Sequence, residues 1–200
     1  QPVSIDFSEC TNLTTIKKQA FYNCFKGTWS VSFANCINLA TIEENAFLDQ
    51  QRWLRYIDFS GCTLLSEVAQ YAFYAKDSQK ELSVNTANFQ GTPITSIDNI
   101  NIHPYDVMTY NLSGTQIQTL NLNDYKALTE LHLPTTIAEL NITGQTNKLT
   151  TIYYDGSKAE WATKVATWEA AGISLPTSVQ TVVYGVLGPQ ITISSYSATK

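Results

Sequence analysis

The sequence predicts a β-rich α/β repeat protein, a solenoid of stacked strand-and-turn coils. Three observations predict it. Residues 5–21 recur at a fixed offset of 26 as residues 31–47 and again as residues 57–73. Seven apolar columns survive both steps: Ile5/Val31/Ile57, Phe7/Phe33/Phe59, Cys10/Cys36/Cys62, Leu13/Leu39/Leu65, Ile16/Ile42/Val68, Ala20/Ala46/Ala72 and Phe21/Phe47/Phe73. A repeat of this length exposes an apolar face that one unit cannot bury alone, so copies must stack. Second, each copy opens on apolar-polar-apolar alternation, as in Ile5-Asp6-Phe7 and Ile57-Asp58-Phe59. Period 2 marks a short strand with two side chains inward and one outward. Third, the pattern continues in shorter form. Phe89-Gln90-Gly91-Thr92-Pro93-Ile94 matches Leu112-Ser113-Gly114-Thr115-Gln116-Ile117 at offset 23, and Leu131-His132-Leu133 matches Ile152-Tyr153-Tyr154 at offset 21.

Taken in order, residues 3–81 hold the longer 26-residue coils. After each strand comes a turn, Ser8-Glu9-Cys10-Thr11-Asn12 or Ser60-Gly61-Cys62-Thr63. Residues 17–24, 43–49 and 69–76 then read as short helical turns. Residues 82–156 hold shorter coils of 20–23 residues, which leave no room for a helical turn. A second alternating column appears there, Ile100-Asn101-Ile102, Leu120-Asn121-Leu122 and Leu140-Asn141-Ile142, so two short strands per coil are expected. The two alignments differ by three residues around 96–100, which marks an insertion at one corner. Residues 157–200 form a helical and strand cap. Ser157-Lys158-Ala159-Glu160 is a capping-box pattern. Trp161, Val165 and Trp168 fall on one helical face, and Gly172 ends the helix. This helix is expected as a lid over the open end of the core, with closing strands at 179–185 and 190–196 and a turn at Gly188-Pro189 between them. The 200 residues read as a single domain.

Composition narrows the function classes. Apolar residues are 44%, which is globular, and charged residues only 14%. The net charge of −5 and the pI near 4.9 exclude the basic face that a nucleic-acid partner needs. They equally exclude polybasic attachment to anionic lipid. No apolar run reaches the ~18 residues of a spanning helix, so no membrane insertion is expected. Thr, Ser and Asn fill the surface in place of charge, as in exported proteins; a secretory segment removed before Gln1 fits that, and the absence of a signal segment also fits a cytosolic protein. Three of the four cysteines share a column, so they are expected as buried, stacked thiols. A disulfide between rungs about 4.8 Å apart is the alternative. Without paired C-x-x-C and a nearby His, zinc is not expected, and neither is any other cofactor.

Two phrases carry a family resemblance. Ile57-Asp58-Phe59-Ser60-Gly61-Cys62-Thr63-Leu64-Leu65-Ser66-Glu67-Val68 resembles the L-D-x-S-x-C-x-x-L-x-x-L unit of bacterial leucine-rich repeats. Ile16 with Ala20-Phe21-Tyr22-Asn23-Cys24 resembles the I-x-x-x-A-F-x-x-C signature of the BspA-like leucine-rich repeats. Gln50 and Lys76 stand in place of the final cysteine in the next two copies. A Tyr153-Tyr154-x-Gly156-x-x-x-x-Trp161 phrase resembles the segment that follows the last coil in such proteins. The resemblance spans roughly residues 3–155. It implies a right-handed leucine-rich repeat solenoid of about seven coils and an exported, cell-surface binding or adhesion module.

Catalysis is not expected. The histidines His103 and His132 lie in different coils with no nucleophile in a triad-like context, and G-x-S-x-G and phosphate-cradling loops are absent. The candidate binding strip is the outward strand column Asp6, Ser32, Asp58, Asn88, Asn111, His132 and Tyr153, one per coil. The resemblance places it on a concave sheet, facing a protein or glycan partner. An exposed strand residue is also polar simply because it faces water. The column Asn101/Asn121/Asn141 is expected to bond along the stack through its amides. Trp53, Tyr56, Tyr71 and Tyr74 form a second candidate anchor. A monomer is expected. A structural spacer presenting another domain, or a carbohydrate-binding accessory protein, are the alternatives.

Overall fold

The computed structural model describes residues 3–22, 24, 28–47, 54–73, 84–98, 100, 102, 106–142 and 148–185. Among them, in chain order, are β1 (Val3–Asp6), β2 (Thr15–Ile16), β3 (Thr28–Ser32), β4 (Thr41–Ile42), β5 (Tyr56–Asp58), β6 (Glu67–Val68), β7 (Thr86–Asn88), β8 (Thr109–Asn111), β9 (Thr119–Asn121), β10 (Glu130–Leu133), β11 (Glu139–Asn141), β12 (Thr151–Tyr154), α1 (Lys158–Ala170) and β13 (Thr181–Tyr184). The protein is β-rich, with parallel sheets, one helix and no closed barrel among these residues. The main sheet has eight parallel strands in the order β1-β3-β5-β7-β8-β10-β12-β13. Two smaller parallel sheets, β2-β4-β6 and β9-β11, take the alternate strands. Strands of the main sheet and of the smaller sheets thus alternate along much of the chain.

Register follows the apolar columns. Ile5 pairs with Val31, Val31 with Ile57, Ile57 with Ala87, and the row runs on through Tyr110, Leu131, Ile152 and Val182. These side chains face the core, where one-residue slips would carry the whole apolar set to the other face. In the longer coils the core is two ladders of phenylalanine. Phe7, Phe33, Phe59 and Phe89 stack with ring centroids 5.0, 5.2 and 5.4 Å apart. Phe21, Phe47 and Phe73 stack at 5.2 and 4.7 Å. The ladders meet edge to face, with Phe47 at 80° to both Phe33 and Phe59. Such aromatic contacts contribute roughly 0.5–1.5 kcal/mol each beyond area burial. Phe33 and Phe59 are fully buried, as their column requires.

The short helical turns expected after the second strand do not form in the described residues. Residues 18–22, 44–47 and 70–73 are turns. The reason is backbone handedness: Gln19, Asn45 and Tyr71, one column, all have φ near +60°. A left-handed residue stops a right-handed helix and instead closes a tight turn, with Ala20 N donating to Lys17 O and Ala46 N to Glu43 O. The first turn uses the same device. Glu9, Asn35, Gly61, Gly91 and Gly114 have φ of 58–73°. Two residues before each lies the carbonyl that accepts the closing bond, as in Cys36 N to Phe33 O at 3.1 Å. At Gly61 a Cβ would land on the Asn35 side chain stacked beside it, which would then have to shift.

Cysteine placement also departs from expectation at one position. Cys36 and Cys62 are buried free thiols, but Cys10 and Cys24 are exposed. Cys10 belongs to the same column, yet it follows β1, an edge strand of the main sheet, and among the described residues no strand lies beyond it. The buried thiols donate to the preceding coil, Cys36 Sγ to Phe7 O and Cys62 Sγ to Phe33 O, both 3.1 Å. Thr92 and Thr115 take over the column and donate to their own turns, to Phe89 O and Leu112 O.

The helix α1 begins on the expected capping box, with Ser157 Oγ accepting from Glu160 N and Ser157 N donating to Glu160 Oε2. It does not simply close the end of the core. Trp168 Nε1 donates to Ala138 O at 2.7 Å and Lys164 Nζ donates to Ile137 O. The helix thus covers the open edge of the small sheet beside β11. Trp161 and Trp168 are buried and Trp161 packs on Tyr154 at 5.1 Å. The chain then returns as β13 to extend the main sheet. The expected strand at 190–196 and the turn at 188–189 lie outside the described residues.

Candidate functional site

The predicted strip is in register. Asp6, Ser32, Asp58, Asn88, Asn111, His132 and Tyr153 are consecutive partners across seven strands. They occupy the face opposite the core, because they alternate with the inward row. Their exposure is not as expected. Asp6 is exposed and Tyr153 half-buried, but Ser32, Asp58, Asn88, Asn111 and His132 are buried.

Their polar atoms hold the molecule's own turns. The side-chain oxygen of each of the first five accepts from the backbone N–H two residues on. Asp6 Oδ1 accepts from Ser8 N at 2.8 Å, Ser32 Oγ from Ala34 N at 3.2 Å and Asp58 Oδ1 from Ser60 N at 2.8 Å. Asn88 Oδ1 accepts from Gln90 N at 3.2 Å and Asn111 Oδ1 from Ser113 N at 3.1 Å. Asp, Asn and Ser suit this role because a short side-chain oxygen reaches exactly one turn of its own backbone. The series ends where its donor ends. Two residues after His132 stands Pro134, which has no N–H, and two after Tyr153 the N–H of Asp155 donates to Leu133 O. Asn121 uses the same device on the small sheet, accepting from Asn123 N. Asn101 lies outside the described residues.

Environment separates the two aspartates of the strip. Hydrogen bonds from Ser8 hold the exposed Asp6 carboxyl below its ordinary value. Burial pushes the Asp58 carboxyl up, against the bonds from Ser60 and Tyr56. Tyr56 OH lies 3.2 Å from Asp58 Oδ2, and burial together with that carboxylate raises the Tyr56 phenol in turn.

The structure gathers one cluster that the sequence did not single out. His132 Nε2 lies 2.7 Å from Glu130 Oε1, and the imidazole stacks on Tyr153 with ring centres 4.3 Å apart. Asp155 Oδ2 accepts from Gly114 N at 2.6 Å, bridging over the coil that contains Pro134. Burial raises the Asp155 carboxyl despite that bond. Ser113 Oγ, His132 Nδ1 and Asp155 Oδ1 are buried without a hydrogen-bond partner among the described residues. The imidazole is wholly buried, while the Glu130 and Asp155 carboxylates are half-buried. Its signal in the sequence was the position two residues beyond the strip, which Ser113 and Asp155 both occupy. Among the described residues no group of three or more His, Cys, Asp or Glu side chains could hold a metal ion.

Of the aromatic candidates, Tyr56 is buried and Tyr71 exposed; Trp53 and Tyr74 lie outside the described residues, as does His103. No helix among the described residues is long and apolar enough to cross a membrane. No protein-family model matches the chain, and no curated protein matches it significantly.

Proposed function

We propose that the chain is a right-handed leucine-rich repeat solenoid of the BspA-like kind, exported to the cell surface, and that it works there without catalysis as a structural spacer. One observation carries the spacer reading over recognition through the strip: the strip's central side chains are buried and capture turn N–H groups of their own coils. Groups engaged in this way offer little to a ligand, while they fix the stack that gives a spacer its length. Replacing Asp58, Asn111 and His132 together by alanine tests it. The spacer reading expects a lower melting temperature with binding to intact cells and to a glycan array unchanged. Lost binding at an unchanged melting temperature would return the site to the strip.

A second reading is favoured by the rim of the main sheet. Trp29 and Met108 are large, apolar and more than two-fifths exposed. They belong to one backbone row, in which Arg55 N donates to Trp29 O, Asn85 N to Arg55 O and Met108 N to Asn85 O. An exposed tryptophan on a rigid row is a fitting anchor for a protein or glycan partner. On this reading Trp29→Ala removes cell or glycan binding and leaves the melting temperature nearly unchanged.

A further inference from the structure

The two ends of the stack are finished differently. At the far end α1 covers the small sheet with Trp161 and Trp168. At the near end Val3 is 53% exposed and Cys10 exposed, while Ile5, Phe7, Leu13 and Phe21 are only half-buried. Yet the first coil carries the same seven apolar columns that coils two and three bury. A repeat built to end an array presents polar residues on its outer side. This one presents an interior coil's face.

We propose that the outer face of the first coil is a docking surface for one further coil of the 26-residue class, seated parallel to β1 and in register with it. The interfaces already inside the molecule specify that partner atom by atom. Phe7 N donates to Ser32 O and Phe33 N to Asp58 O, so the partner's first aromatic residue donates to Asp6 O. Glu9 N donates to Ala34 O and Asn35 N to Ser60 O, so its left-handed turn residue donates to Ser8 O. Phe21 N donates to Ala46 O and Phe47 N to Ala72 O, so its second aromatic residue donates to Ala20 O. In return, Ala40 N to Thr14 O and Glu43 N to Ile16 O assign Thr14 N and Lys17 N as donors to the partner. The Cys10 thiol takes the partner's first aromatic carbonyl, as Cys36 takes Phe7 O. Two rings continue the ladders over Phe7 and Phe21. Uncharged or acidic residues lie over Lys17 and Lys18, since like charges in opposed positions repel.

A second copy of this chain fits less well. Two copies of the open face meet running antiparallel, whereas every strand pair described here is parallel. The far end of a copy carries α1 over the small sheet and has left the phenylalanine ladders behind. The proposal rests on the repeat-stacking reading and is independent of whether the chain is a spacer or a binder.

The test extends the chain on its N-terminal side with an in-phase copy of residues 31–56 joined to Ile5, the copy's cysteine changed to serine, in a Cys24→Ser background. Cys10 is then the one exposed thiol of the described set. Expected are a Cys10 alkylation rate about 100-fold slower than in the unextended chain and a melting temperature higher by at least roughly 2–4 °C. The same extension with aspartate at the copy's first phenylalanine column should leave Cys10 fast. A second extension, a copy of residues 5–30 with its copies of Cys10 and Cys24 changed to serine and of Lys17 and Lys18 to glutamate, guards against a junction that fails to fold. Cys10 reacting at the unextended rate in both extensions overturns the proposal. A dimer of the unextended chain with Cys10 protected, seen by sedimentation and alkylation together, also overturns it, because a second copy would then be the occupant.

Discussion

The long-coil half and the short-coil half solve the same packing problem with different cross-sections. In the longer coils two turns with left-handed residues carry two phenylalanine ladders, and the rings of one ladder fill the gaps of the other. In the shorter coils the turn after the second strand persists, at residues 123–127, but holds no left-handed residue. The ring column becomes Leu112 and Leu133, and aliphatic side chains from β9 and β11, Leu120 and Leu140, close the opposite wall. The left-handed second turns and the second phenylalanine ladder thus go together, and among the described residues both stop at Tyr71 and Phe73. The inward row of the main sheet continues past that point through Ala87 and Tyr110.

The largest expected effect sharpens that comparison. Phe33→Ala, inside the first ladder and edge to face with the second, should cost ~3–5 kcal/mol. Phe7→Ala, at the open end of the same ladder, should cost about half as much, because its outer side is not covered. Equal losses in urea melts of the two variants would show that the near end is already covered, and that the contrast between interior and end is wrong.

The junction where the short coils stop comes next. Trp168→Phe keeps most of the packing but removes the donor to Ala138 O, and should cost ~1–2 kcal/mol. Amide exchange at residues 139–141 should accelerate with it, while exchange in β5 stays as it was. Uniform acceleration across the chain would mean that the two halves unfold as one unit.

Asp58 lies in the long-coil half, and Asn88 and Asn111 occupy its column further along. Asp58→Ala should destabilise by ~1–3 kcal/mol, because Ser60 N loses its acceptor in a buried place. Asp58→Asn keeps the acceptor and removes the buried charge. Burial raises the Asp58 carboxyl above its ordinary value of 3.8, so the folded chain holds the proton more tightly than the unfolded one. Stability therefore falls as pH rises through that window, and the loss is complete at neutral pH. Asp58→Asn should then be more stable than the parent at neutral pH, with the gain vanishing in acid. A gain that persists below the ordinary carboxylate range would assign it to something other than charge burial.

The smallest effect is chemical. Cys10 and Cys24 should react with a thiol reagent in the native chain, and Cys36 and Cys62 only on unfolding. Burial pushes the Cys62 thiol up to about 12, so little thiolate exists there at neutral pH. Four thiols should titrate in the unfolded chain without reductant. Native reactivity at Cys36 equal to that of Cys10 would break the contrast between the covered and the open coil.

By itself the sequence determined the repeat, the in-register parallel rows and the inward and outward alternation. These follow from a period-2 strand set on a fixed offset, which leaves one register that buries Val31, Ile57 and their column. It also determined the capping box and the two inward tryptophans of α1, since both are local patterns. The left-handed turns in place of helical ones were decided by tertiary structure. Gln19, Asn45 and Tyr71 have no intrinsic need for positive φ, and adopt it where the next coil's carbonyls and the second ladder hold the chain. Tertiary structure also decided the fate of the polar strip. Alternation says which face a side chain leaves by, but not whether that face meets water, and Asp58, Asn111 and His132 leave by the outer face and are buried there. The cluster of Glu130, His132, Ser113 and Asp155 came from the same source, because residues from three coils meet only once the coils are stacked.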